Sequence, residues 1–415
     1  AENERFGWRD LADPMCEATA RRSLGEPYVL GIVDGSSTSH TDNNKSNGTG
    51  PLGTLQSEGR GIKLMWMQVL NAVGVGLGPG ALQWWAREEG GVQVPHAQRA
   101  LEDKESRWWV ELPKRFLRTL EFIGFKGKLW LQMDREGDIN EVLLLGNDPR
   151  VWLTVRSEHD RVLLAESIAQ PGRPLHLREA IEGTASCAQM VVSLSATSER
   201  KARMATIEVR ALHVSPRLRA QWTHRKMGEV SVTAVLAREV NPPAGQEPVE
   251  WLLLTTYPVR DAHDAVLVVR NYARRWSIET VHATLKSARH NVEDAQLESF
   301  ESIAKWNTLS LSAAVQAQAI LQRARREPDL PADKIFARDI VDAALLLFKE
   351  HRQDAPKPGE TPTLAVMVHI IASLGGYTGK SSGGPPGIKT FSRGMDRVEP
   401  AAVVLRLQRE AQAPD

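Results

Sequence analysis

Tyr28-Val29-Leu30-Gly31-Ile32-Val33-Asp34 is the stretch on which the reading of the fold turns. A short apolar run closed by a carboxylate has the pattern of a buried strand that Asp34 ends. Lys128–Met133, KLWLQM, repeats it with Asp134 at its end, and Val151–Arg156 is a further strand candidate. Between the first two, Ile62–Leu70 and Val73–Leu77 flank Asn71-Ala72 as in a hairpin. Gly35–Arg60, dominated by Gly, Ser, Thr and Asn without periodicity, reads as a long mobile loop beginning beside Asp34. Glu102–Ile123 and Asp138–Leu145 read as helical. From about Asp160 to Val259 the pattern changes to short alternating segments such as Gln189–Leu194, Thr206–Val214 and Val230–Leu236. Ala262–Arg289 and Ile303–Arg323 then read as long helices. Strands and helices that give way to a β-only block and resume predict one α/β domain with a β insertion.

Toward the C-terminus, Asp333–His351 and Thr363–Leu374 have helical apolar spacing, followed by a flexible stretch from Gly375 to Gly387. Gly379-Lys380-Ser381 is not a phosphate loop, because Leu374 stands where the first glycine belongs. Nor do the glycines at 74, 76, 78 and 80 form a dinucleotide fingerprint; they suit strand turns.

Composition bounds the class. The 415 residues are 42% hydrophobic and 25% charged, ordinary for a globular protein of two or three domains. No apolar run approaches the roughly 20 residues of a membrane helix, and the N-terminus lacks the features of a signal peptide. Cys16 and Cys187 form neither a disulfide framework nor a zinc site, and a cytoplasmic setting is expected. The formal net charge of +1 predicts no nucleic-acid partner by itself. The charge is uneven, however: between Arg200 and Lys226 eight Lys and Arg stand against the single acid Glu208. Such a run could follow a phosphate backbone or be a solvated β surface.

The chemistry concentrates in Asn271–His290, NYARRWSIETVHATLKSARH. Read as one helix, it places Tyr272, Arg275, Glu279 and Lys286 on one face, within about 60° of one another. Ile278, Val281 and Leu285 fall opposite, available for packing. A tyrosine, two cations and a carboxylate on one stripe are poor core material. Asp34 and Asp134 lie at predicted strand ends, where carboxylates can converge at one sheet edge. With Glu279 they form a three-carboxylate set whose oxygens suit Mg²⁺ or Mn²⁺.

Taken together, these residues resemble the DDE transposases of the IS-four family. The resemblance rests on Ile32-Val33-Asp34 with its Ser/Thr-rich loop, on Asp134-Arg135-Glu136 with Asp138, and on the Y-R-E-K signature at Tyr272, Arg275, Glu279 and Lys286. Trp84-Trp85, Asp103-Lys104-Glu105-Ser106, Val155-Arg156-Ser157, Asn241-Pro242-Pro243, Trp251-Leu252-Leu253-Leu254-Thr255 and Leu374-Gly375-Gly376 add to it in the family's order.

The resemblance implies an RNase H-like catalytic domain, a mixed sheet flanked by helices, interrupted by an all-β insertion and followed by a C-terminal helical region. The expected division is a remnant of an N-terminal helical DNA-binding region at 1–27, the catalytic domain at 28–158 and 261–326, the insertion at 159–260, and a dimerisation region at 327–415. Family members carry a longer region ahead of the first aspartate, so a truncated form, a naturally short form, or one that has lost end-specific recognition is expected here.

The activity implied is cut-and-paste transposition, in which hydrolysis at the transposon ends, hairpin formation, hairpin opening and strand transfer are successive in-line displacements at phosphorus. Asp34, Asp134 and Glu279 would hold two Mg²⁺ ions, with Mn²⁺ as substitute. Tyr272, Arg275 and Lys286 would hold phosphates near the scissile bond. Trp251 matches the position that stacks on a flipped base, against the alternative of a core tryptophan. Trp276, Arg135 and Arg156 are further DNA contacts on this reading. The implied partners are double-stranded DNA, as transposon ends and target, and a second copy of the chain in a synaptic homodimer. A non-catalytic regulator that binds DNA or dimerises, and a structure-selective RNase H-like nuclease, are the alternatives.

Overall fold

A computed structural model describes residues 3–40, 48–53, 59–90, 98–164, 175–194, 203–219, 226–286, 291–349, 361–379 and 384–412. Parts of the expected loop at 35–60, of the basic run at 200–226, of the helix to 289 and of the stretch at 375–387 lie outside the described residues.

The expected strands pair into one mixed sheet of ten strands. Its first part consists of β1 (Tyr28–Ser39), β2 (Gly50–Pro51), β3 (Arg60–Asn71), β4 (Gly76–Trp85), β5 (Lys128–Met133) and β6 (Val151–Arg156). The second part is β7 (Ala188–Leu194), β8 (Arg203–Val214), β11 (Val232–Glu239) and β12 (Glu250–Thr255). The order is β2-β3-β1-β5-β6-β12-β11-β8-β7, with β4 on β3, while β9 (Leu218–Arg219) and β10 (Lys226–Gly228) form a separate pair. β1, β5 and β6 run parallel, and the β3–β4 hairpin lies antiparallel beside β1.

Two expectations change here. β1 does not stop at Asp34 but continues to Ser39, because residues 35–39 find antiparallel partners in residues 61–65 of β3. Apart from the short β9–β10 pair, the block from Asp160 to Val259 does not build a sheet of its own. Leu253–Thr255 of β12 pair with Thr154–Arg156 of β6, so its strands extend the first sheet. It also contains a helix, α4 (Leu177–Glu182), whose Leu177 and Ile181 are buried.

Strand alternation sends side chains to two faces. Leu30, Ile32, Trp66, Trp130 and Leu253 join one apolar cluster with residues of α5 (Ala262–Ala273), α6 (Trp276–Leu285) and α7 (Phe300–Arg326). Val29, Val33, Leu129, Leu131 and Val155 join the other with Leu112, Phe116 and Leu120 of α2 (Trp108–Phe122). α1 (Trp8–Arg22) also packs on β4 and α7, and a short helix, α3 (Asn140–Leu143), stands where Asp138–Leu145 was expected helical. No helix of the described residues is long and apolar enough to cross a membrane.

The C-terminal helices α8 (Arg338–Lys349), α9 (Leu364–Leu374) and α10 (Ile388–Gln412) pack with the end of α7 around a third apolar cluster. α9 and α10 cross where glycines leave no room for a side chain. A Cβ on Gly375 would run into the Thr390 carbonyl, and one on Gly394 into the Ile371 carbonyl. Backbone cannot swing aside as a flexible side chain does. Gly394→Ala is therefore expected to force α9 and α10 apart and cost about 1–3 kcal/mol. Chemical denaturation with the wild-type midpoint retained would refute this close-contact account.

Candidate active site

Asp34 and Asp134 approach one another because β1 and β5 are adjacent and parallel. The last register pair is Ile32 with Gln132, two residues short of each aspartate, so both side chains stand at the same height. Each also stands on the same face as Ile32 and Trp130, the face covered by α5 and α6. Asp34 accepts a hydrogen bond from its neighbour Gly35 N at 2.8 Å. Asp134 caps a single turn of 3₁₀ helix over Arg135–Gly137, accepting from Glu136 N at 2.9 Å.

The third carboxylate arrives on a broken helix. The single helix predicted over 262–289 is two: α5 ends at Ala273 and α6 begins at Trp276. Between them the chain tightens into three-residue hydrogen bonds, Arg275 N to Tyr272 O at 2.9 Å and Ser277 N to Arg274 O at 3.0 Å. The break keeps Tyr272, Arg275 and Glu279 on the sheet side but changes their environment. Tyr272 is 2% exposed and belongs to the core, although its stripe reads as poor core material in the sequence. Ile278, Val281 and Leu285 are buried as expected.

Arg275 joins the carboxylates. Its Nη2 donates to Glu279 Oε1 at 2.7 Å and its Nη1 to Asp34 Oδ2 at 3.3 Å, from a side chain whose residue is 7% exposed. Burial alone would lower its pKa, but Tyr272, Asp34, Glu279 and Asp134 together raise it. Asp34 shows the opposite imbalance. Burial first, then the charge of Asp134, pushes its carboxyl up from 3.8 to about 7, although Arg275 opposes the shift. Tyr272 is raised by burial, with Arg275 and Arg156 opposing. Arg156, at the end of β6, is lowered by burial and senses Tyr272, Arg135, Arg275 and Asp134. It donates to the Glu250 carbonyl at 3.0 Å.

Six of the expected residues thus meet at one end of the sheet: Asp34, Asp134, Glu279, Tyr272, Arg275 and Arg156. Arg135 stands at their rim, half-exposed and paired with Glu158 at 3.3 Å. Lys286 is exposed at the C-terminal end of α6. Trp251 is a core tryptophan in this structure. It is 8% exposed and stands edge-on to Tyr272 with ring centroids 5.7 Å apart. Trp276, by contrast, is 52% exposed, with the Arg275 guanidinium 5.6 Å from its ring. The basic run is less available than its sequence suggests. Arg203 pairs with Glu239, Arg210 with Glu208 at 2.8 Å and Lys226 with Glu229, and two of these acids lie outside the run.

Among the described residues, no three His, Cys, Asp or Glu side chains stand close enough to enclose a metal ion as they are. The donor set nonetheless fits a hard divalent cation. It offers only carboxylate oxygens, and Asp34, buried and facing the charge of Asp134, is held above the usual carboxylate range. Asp34, Asp134 and Glu279 are the residues that would hold it.

Sequence reading passed over His282, one turn beyond Glu279, and Trp66, which lies opposite Asp34 in the β1–β3 register. The Trp66 indole Nε1 donates to His282 Nε2 at 2.8 Å. Neither residue carries a sequence signal, since only the strand register brings them to the site. No family model matches the chain.

The shifted carboxyl has a measurable consequence without metal. Between about pH 4 and pH 7 the folded chain keeps a proton on Asp34 that the unfolded chain has released. Stability from this group is therefore full in acid, declines as pH rises, and levels off above about 7. In EDTA, Asp34→Asn should be more stable than wild type at pH 8, with the gap closing toward pH 4. A pH-independent gap in denaturation midpoints would count against the crowded-carboxylate account.

Proposed function

We propose that this chain is the catalytic core of a cut-and-paste DNA transposase of the DDE type, built on an RNase H-like domain. The observation that carries the reading is the meeting of Asp34, Asp134 and Glu279, from two adjacent parallel strands and one helix, with Tyr272, Arg275 and Arg156 beside them. A mixed sheet flanked by helices, with Asp34 within β1 and Asp134 at the end of the neighbouring parallel β5, supports the RNase H-like assignment.

Divalent Mg²⁺ or Mn²⁺ ions, when bound by these carboxylates, supply activation of the attacking oxygen and stabilisation of the leaving oxygen at phosphorus. The chain's own residues do the rest. Asp34 gives up its proton near neutral pH to become a full carboxylate. Arg275, tied to Asp34 and Glu279 in the absence of other charges, is within reach of a scissile phosphate once those carboxylates are neutralised. Arg156 senses Asp134 and fixes the register of the strand by a charge-assisted contact, while Tyr272, buried in the core, backs Arg275. The exposed ring of Trp276 offers a stacking surface for a displaced base.

A second copy of the chain completes the proposed assembly. Val403, Val404 and Leu407 remain exposed on the last turns of α10, in support of a homodimer formed through the C-terminal helices.

The test is Mn²⁺-dependent nicking of supercoiled plasmid. Glu279→Gln should lower nicking by about 100-fold or more while DNA binding in EDTA persists. Near-normal turnover by that variant would remove Glu279 from the site. Cleavage without any strand-transfer product would favour the nuclease, and DNA binding without cleavage by the wild type would favour the regulator.

A further inference from the structure

Glu279 reaches the aspartates only while α6 keeps one height and one rotation over the sheet. Its apolar residues Ile278, Val281 and Leu285 are buried, but apolar burial is non-directional and fixes neither quantity by itself. Two sets of polar contacts do. Trp66 and Gln68 stand two residues apart in β3, so both project toward α6. In register they lie opposite Asp34 and Ile32 of β1. Trp66 Nε1 donates to His282 Nε2 at 2.8 Å. On the other side of Glu279, Ser277 Oγ donates to Gln68 Oε1 at 2.8 Å. Gln68 Nε2 donates to Gln318 Oε1 at 2.5 Å, and Gln318 Nε2 returns to the Ser277 carbonyl at 2.7 Å. Trp66, Gln68 and Gln318 are buried, so each contact carries the full cost of an unmade hydrogen bond if α6 slides or turns.

We propose that these contacts form a clamp, Trp66–His282 on one side and Gln68–Gln318–Ser277 on the other, that sets the position of Glu279 against Asp34. The strand that pairs with Asp34 thereby also holds the helix that carries Glu279. Trp66, His282, Gln68, Gln318 and Ser277 are positioning residues, and their catalytic consequence rests on the reading of Glu279 given above. His282 must be neutral to accept at Nε2. Burial first, then Lys286 and Arg275, pushes its pKa down to about 4, so the acceptor persists through neutral pH.

The clamp is tested with His282→Leu and His282→Gln in the full chain. Leu leaves the Trp66 donor unpaired, whereas Gln Oε1 reaches about as far as Nε2 and can accept. The first readout is hydrogen exchange in EDTA. His282→Leu should speed α6 amide exchange about 10-fold without changing α2, and His282→Gln should restore it. The second is the Mn²⁺ midpoint for nicking, expected to rise about 10–100-fold in His282→Leu and to recover in His282→Gln. Wild-type α6 exchange in His282→Leu, or equal damage in both variants, overturns the clamp. If the wild type neither nicks nor responds to Mn²⁺, the catalytic reading fails, and α6 exchange alone then decides the clamp.

Discussion

The parallel pairing of β1 with β5 places two carboxylates side by side at the end of the sheet. Asp34 and Asp134 stand at equal height because the register that buries Leu30 and Ile32 admits no other arrangement. A slip of one residue would relieve the repulsion, but it would turn every apolar side chain of the strand to the wrong face. Hydrophobic burial on both faces of the sheet therefore enforces an electrostatic conflict. The surroundings answer it locally: Asp34 holds its proton up to about pH 7, and Arg275 reaches over from the break between α5 and α6.

The turn after Asp134 shows a different economy. Asp138 is buried and accepts from the backbone N–H of Glu158 at 2.8 Å and of His159 at 3.1 Å. Arg161 donates to it at 2.6 Å and to its carbonyl at 3.0 Å. A buried carboxylate whose Oδ2 gathers these donors is held in place, although its buried Oδ1 has no hydrogen-bond partner among the described residues. It ties the segment after Asp134 to the segment after β6, so the end of β5 is fixed from both sides. The two acids differ in their donors: Asp34 meets one guanidinium at 3.3 Å, whereas Asp138 gathers several donors on its Oδ2.

Strand positions were legible because period-two burial writes itself into sequence: YVLGIV, KLWLQM and Ile62–Leu70 are strands in the structure, whereas the second hairpin strand expected at Val73–Leu77 begins only at Gly76 and runs to Trp85. Carboxylates at the ends of such runs marked Asp34 and Asp134 for the same reason. Less legible were features fixed by tertiary pairing. Gly35–Ser39 has a loop composition, yet β3 offers it a complete set of backbone partners. The strands after Asp160 alternate like an independent β unit, and only the pairing of β12 with β6 reveals that they extend the first sheet. The turn at Arg274-Arg275 lacks glycine or proline, so nothing in the periodicity announced it. Trp66–His282 joins residues 216 positions apart, beyond the reach of any spacing rule.

The two tryptophans beside Tyr272 show how burial redistributes roles that a motif assigns. The resemblance would make Trp251 the base-stacking tryptophan, but in this structure it lies within the apolar cluster and packs against the Tyr272 ring. Bringing it out to meet a base would sacrifice about 1.5–3 kcal/mol of burial. That cost adds to the few kcal/mol needed to unstack the base. Trp276 incurs no such cost. It is already exposed at the first position of α6, and the Arg275 guanidinium near its ring belongs to the residue that bridges Asp34 and Glu279. On the proposed reading, a displaced base meets Trp276 first. Trp251 then serves from behind, holding Tyr272 in place so that its hydroxyl faces Arg156 and Arg275.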